Sequence, residues 1–127
     1  MNKYLCIASF FGATAVILGA FAAHGLENKL SLESIESIHT AVRYQLFHAL
    51  LLLFVASSDK FTTKQNNLLS LFLIIGITFF SGSIYAIYLL QIPAKTIWFI
   101  TPLGGFLLVV TWIFMFFIFF KKVLKQE

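Results

Sequence analysis

Arg43-Tyr44-Gln45-Leu46-Phe47-His48 is the stretch of this sequence with the most chemical capacity, a cation, a phenol, an amide and an imidazole in close succession. It opens a run, Ala49 to Ala56, that otherwise reads as lipid-soluble helix. Ionisable groups at membrane depth are costly and face a bundle interior, a cavity or a partner. At about 100° per residue, Tyr44, Gln45 and His48 share one helix face, with His39 and Arg43 nearly opposite. The first three are therefore expected to point into a bundle. Arg43 is expected at the surface loop, the headgroups or another chain, where a phosphate competes with an intrachain carbonyl or carboxylate as its partner. His39 is expected to be solvated. His48 stands out because imidazole titrates and binds metals, whereas glutamine suffices for packing alone.

Other chemistries find little support. No Asp or Glu lies inside an apolar run, so a carboxylate-based ion or proton relay has no carrier. His24 and His48 sit in different segments and could ligate haem or a metal, but their spacing matches no characteristic ligand motif. Ser81 and Ser83 have no orienting acid to make a nucleophile of either. Gly104-Gly105 alone is not a phosphate-binding loop. The single cysteine, Cys6, rules out an intrachain disulfide and a multi-cysteine metal site. The sequence leans away from catalysis and leaves cofactors open.

The elements that position these residues follow from composition. The chain has 127 residues, 60% of them hydrophobic, and a mean hydropathy of +0.93. A soluble domain of this size has too little interior to hide that much apolar surface, so the bilayer is its solvent. The charged residues cluster between apolar runs, so the net charge of +4 suits membrane orientation, not a nucleic-acid partner. The reading is all-α: a single integral membrane domain, 1–127, forming an up-and-down four-helix transmembrane bundle. Its spans lie at about 4–23, 40–57, 67–90 and 97–120. A short amphipathic helix leads into the second span, with Ser31 as N-cap and Leu32, Ile35, Ile38, Val42 and Leu46 at helical spacing. Lys3, the run from Tyr4 and Ala20-Phe21-Ala22 fit a cleavable signal template. The run is long for that role and three further spans follow, so it is read as a span.

Within the first span Ala8, Gly12, Ala15, Gly19, Ala22 and Ala23 form a small-residue face that lets a neighbouring helix approach. Gly25 is a plausible C-terminal cap. Thr101-Pro102 reads either as N-cap and first position of the fourth helix, or as a kink in a helix that starts near Lys95. Lys3, Lys60, Lys64, Lys121, Lys122 and Lys125 fall on one side of this topology, and Lys29, Arg43 and Lys95 on the other. By the positive-inside rule the protein belongs in the cell membrane with both termini cytoplasmic.

That topology gathers the polar residues in the outer leaflet. A pocket lined by His24, Tyr44, Gln45, His48, Ser81 and Tyr85 is expected there, with Gly104-Gly105 allowing close approach of the fourth helix. The competing reading is that these side chains only hydrogen-bond across helices, at about a kcal/mol each.

Gly19-Ala20-Phe21-Ala22-Ala23-His24-Gly25-Leu26, Tyr44-Gln45 with His48-Ala49-Leu50, Phe80-Ser81-Gly82-Ser83-Ile84-Tyr85 and Thr101-Pro102-Leu103-Gly104-Gly105 occur in that order. In these motifs the chain resembles the YgdD/YwdK-like family of small four-span membrane proteins, a family of unknown function. Ala22 departs from the pattern, where glycine is more common, and should loosen helix approach only a little. The resemblance implies a multi-pass membrane protein and supplies no activity. Three readings follow from the residues. The first is a non-catalytic protein that binds a lipid, a small hydrophobic ligand or a membrane partner in the polar pocket. The second is a small enzyme or transporter with His48 as acid/base. The third is a structural subunit, in which the small-residue face of the first span could equally serve a homo-oligomer.

Overall fold

The computed structural model describes residues 2–126, and the secondary structure among them is helical: α1 (Asn2–His24), α2 (Leu32–Ser57), α3 (Thr63–Tyr88), the single turn α4 (Ala94–Ile97) and α5 (Ile100–Leu124). The four long helices have 23, 26, 26 and 25 residues. At 1.5 Å per residue they are about 35–39 Å long, enough to cross a hydrocarbon core of ~30 Å. They run alternately up and down, so the bundle has four spans and no sheet.

Local chemistry sets the helix ends. The Ser31 hydroxyl accepts from the Ser34 N–H at 3.2 Å and starts α2. With no glycine or proline between Leu32 and Ser57, the amphipathic lead-in and the second span are one uninterrupted helix. Thr62 and Gln65 form a reciprocal capping box that starts α3 at Thr63, ahead of the apolar run that hydropathy detects at 67. Pro102 falls in the first turn of α5, where a missing N–H costs nothing. Thr101 is therefore not the cap, and the turn at Trp98-Phe99, not a kink, separates α5 from α4. Gly25 does not take the left-handed conformation expected of a glycine cap. Its N–H continues the ladder to the Phe21 carbonyl at 2.7 Å, and a Cβ there would meet the Phe21 ring at 2.7 Å. Among the described residues the left-handed one is Gln91, φ 57°, in the turn after α3.

The main seams join α1 to α2, α2 to α3, and α3 to α5, so α2 and α3 form the centre and α1 and α5 the flanks. The core runs through Leu52, Val55, Leu69, Leu73, Ile77 and Leu108. Of the small-residue face on α1, Ala8, Ala15 and Ala22 are buried, and Gly19 lies close to Val42. Gly12 has open space beside it, and Ala23 is exposed. The tightest seam is α3 against α5, where Gly104 lies directly on the backbone of Phe79 and Phe80. Phe10 and Ile17 on α1, and Phe106, Val109, Ile113 and Phe116 on α5, face outward. So much exposed hydrocarbon on two flanking helices suits a lipid solvent.

Candidate functional site

Gln45 is 4% exposed and joins three helices. Its amide nitrogen donates to the Phe11 carbonyl and the Thr14 hydroxyl on α1, both at 2.8 Å. Its amide oxygen accepts from the Tyr85 hydroxyl on α3 at 2.7 Å. Thr14 in turn donates to the Phe10 carbonyl at 2.9 Å. Both amide hydrogens are thus committed, and α1, which has few buried residues of its own, is tied by polar bonds to α2, whose Gln45 is tied in turn to α3. In hydrocarbon such bonds matter because no water competes for the groups.

His48 makes a separate cluster. One ring nitrogen, Nδ1, lies 2.7 Å from the Tyr44 carbonyl one turn back, and Nε2 lies 3.1 Å from the Trp112 indole nitrogen on α5. An indole N–H only donates, so Nε2 must accept, which places the ring proton on Nδ1. The Tyr44 ring stacks on the imidazole at 5.9 Å between centroids and meets Phe80 at 4.6 Å. Tyr44 itself is 45% exposed. Tyr44, Gln45 and His48 therefore do not converge on one pocket. Gln45 turns towards α1 and α3, while Tyr44 and His48 turn towards Phe80 and α5. Around α2, Tyr44 lies about 100° and His48 about 60° from Gln45, enough to give them different neighbours.

The remaining expected site residues are dispersed. Ser81 is buried and donates to the Ala41 carbonyl at 2.7 Å, locking α3 to α2. His24 is exposed at the end of α1, away from both clusters. Arg43 is exposed and donates to the Thr40 hydroxyl at 3.3 Å. His39 is half-buried. The Ser83 and Thr101 hydroxyls pair at 2.5 Å between α3 and α5. Thr14, Gln45, His48 and Trp112 lie near the middles of their helices, whereas Tyr85 lies in the last turn of α3.

Every buried side-chain nitrogen and oxygen among the described residues has a hydrogen-bond partner. Beside the Gln45 cluster lies a cleft of about 200 Å³ between α1 and α3, floored by Gln45 of α2. Phe10, Phe11, Leu18 and Ile77 wall it, with Thr14, Thr78, Gly82 and Tyr85 completing the lining. A Cβ on Gly82 would meet nothing within 4 Å. Because Gln45, Thr14 and Tyr85 spend their polar atoms on one another, the cleft presents mainly carbon. Among the described residues no three His, Cys, Asp or Glu side chains come together as a metal site. Sequence reasoning missed Thr14, which is hidden in an apolar stripe, and Trp112, which is half exposed yet donates its indole N–H to His48.

Fold and site together define a small four-span membrane protein whose helices are locked by mid-bundle polar bonds. The family model described as "Protein of unknown function (DUF423)" matches residues 18–105. A UPF0382 membrane protein of Haemophilus influenzae is 41% identical over 88% of this chain and 89% of its own length. A UPF0382 membrane protein of Staphylococcus saprophyticus is 39% identical over 91% and 94%. The UPF0382 membrane protein YwdK of Bacillus subtilis is 37% identical over 89% and 92%. The chain belongs to the DUF423/UPF0382 family of small membrane proteins, as the four motifs implied. No solved structure matches it.

Proposed function

We propose that this protein is a non-catalytic, lipid-binding membrane protein that takes a stretch of acyl or similar apolar chain into the cleft between α1 and α3. The observation that carries this reading is the cleft of about 200 Å³, apolar-walled, with its floor residues already hydrogen-bonded to each other. Pockets for whole drug-sized ligands run to ~300–1,000 Å³, so the occupant is a segment of a longer chain already dissolved in the bilayer. The absent side chain of Gly82 keeps one wall open. An acid/base role for His48 has less support. Its Nε2 lone pair already accepts the Trp112 N–H, and that bond must break before a proton can be taken there.

The test is native mass spectrometry of protein extracted gently from its own membrane, beside Gly82→Leu and His48→Gln samples of matched fold. Co-purifying lipid is expected in the wild type and in His48→Gln, and should fall severalfold in Gly82→Leu, whose side chain enters the cleft. Lipid retained by Gly82→Leu would contradict the reading. Lipid lost only with His48→Gln would move the site to the tryptophan side of α2.

A further inference from the structure

We infer that a second, basic cleft, at the end of the bundle where α1 starts and α5 finishes, binds the phosphate headgroup of an anionic phospholipid. The cleft has a volume of about 310 Å³ and lies between the α2–α3 connection and the last turns of α5. Lys60, Lys121, Lys122 and Lys125 line it, four of the nine basic residues of the chain. No carboxylate joins them among the described residues of its lining. Lys121 in the last turn of α5 and Lys125 at its C-cap stand four apart, the spacing at which like charges repel. An anion between them removes that repulsion.

The cleft is built and not merely a run of surface charge. The Lys122 ammonium donates to the Lys60 backbone carbonyl, which fastens the α2–α3 connection to α5. Beside the lysines, Phe114 and Phe117 carry the wall towards the membrane, and Phe117 is half exposed on the lipid-facing side of α5. A free phosphate would use the lysines and leave this apolar wall idle. A phospholipid uses both, with the phosphate at the ammonium groups and the chains along the phenylalanines. Basic pockets between membrane helices are suited to anionic headgroups in this way. The basic cleft shares no lining residue with the α1–α3 cleft.

The experiment measures the association of spin-labelled phosphatidylglycerol and phosphatidylcholine with the full-length protein in phosphatidylcholine nanodiscs. The wild type is expected to prefer phosphatidylglycerol severalfold. Lys121→Gln with Lys125→Gln should bring the preference close to one, while Lys121→Arg with Lys125→Arg keeps it. Lys3→Gln with Lys64→Gln, at the same end but outside the cleft, should leave it unchanged, as should millimolar inorganic phosphate. No preference in the wild type, or retention in the Lys121/Lys125 glutamine pair, would overturn the inference. Equal loss in both glutamine pairs would overturn it in favour of a general surface charge, and displacement by inorganic phosphate in favour of a free-anion site.

Discussion

Of the two ring nitrogens of His48, one is bonded to the backbone of its own helix and the other to a tryptophan on α5. The residue that most invites chemistry is thereby given a packing task, and that task can be measured. Interhelical hydrogen bonds in membrane proteins average ~0.6 kcal/mol and reach ~1.7. A double-mutant cycle of His48→Leu and Trp112→Phe, read by unfolding in mixed micelles, should give a coupling of about 0.5–1.5 kcal/mol. His48→Gln, which keeps an acceptor, should cost less than His48→Leu. Strictly additive losses would show that the pair does not interact. At this scale the sequence made Gln45, His48, Ser81 and Tyr85 legible as polar groups that must find partners. It hid the partners themselves. Thr14 looks like one more small residue, Trp112 like one more lipid-facing aromatic, and the carbonyls of Phe11 and Ala41 have no signature at all. His24 and His48 were expected in one pocket; only the packing shows His24 exposed at the end of α1 and His48 buried.

The helices themselves were easier to read, because apolar length and capping chemistry are local. Ser31 and the Leu32-Ile35-Ile38 spacing announced α2, whereas the start of α3 rests on the Thr62–Gln65 capping box, which hydropathy does not see. How closely two helices approach is a contact property, and glycines that look alike in sequence differ sharply. A Cβ at Gly104 would lie 2.3 Å from the Phe80 backbone nitrogen, while at Gly12 and Gly82 it would meet nothing within 4 Å. Gly104→Ala must push α5 off α3 and should cost about 1–3 kcal/mol, the range for an overpacked core. Gly12→Ala and Gly82→Ala should be neutral or slightly stabilising, since alanine is the better helix former. Unfolding of the three variants under one condition checks the ranking. A tolerated Gly104→Ala would mean that the α3–α5 seam is looser than described.

As a whole molecule the protein turns an ordinary bundle inside out in one respect. Its flanks are the hydrocarbon surface, with Phe106, Val109 and Phe116 outward on α5, and its polar groups Gln45 and His48 are bonded to other helices inside the bundle. α1 is held chiefly by α2, and the gap it leaves against α3 is the cleft assigned to lipid. Four spans follow from apolar length, but the cleft does not, because it depends on which pairs of helices fail to meet. The most direct measurement is photo-crosslinking in the native membrane from a photoreactive phenylalanine placed at Phe10, on the cleft wall, and at Phe116, on the outer face of α5. The Phe10 probe should capture a narrow set of lipids that reverts to bulk composition when Gly82→Leu is added, while the Phe116 probe samples the bulk throughout. Identical bulk profiles from both positions, unchanged by Gly82→Leu, would contradict a lipid-binding cleft.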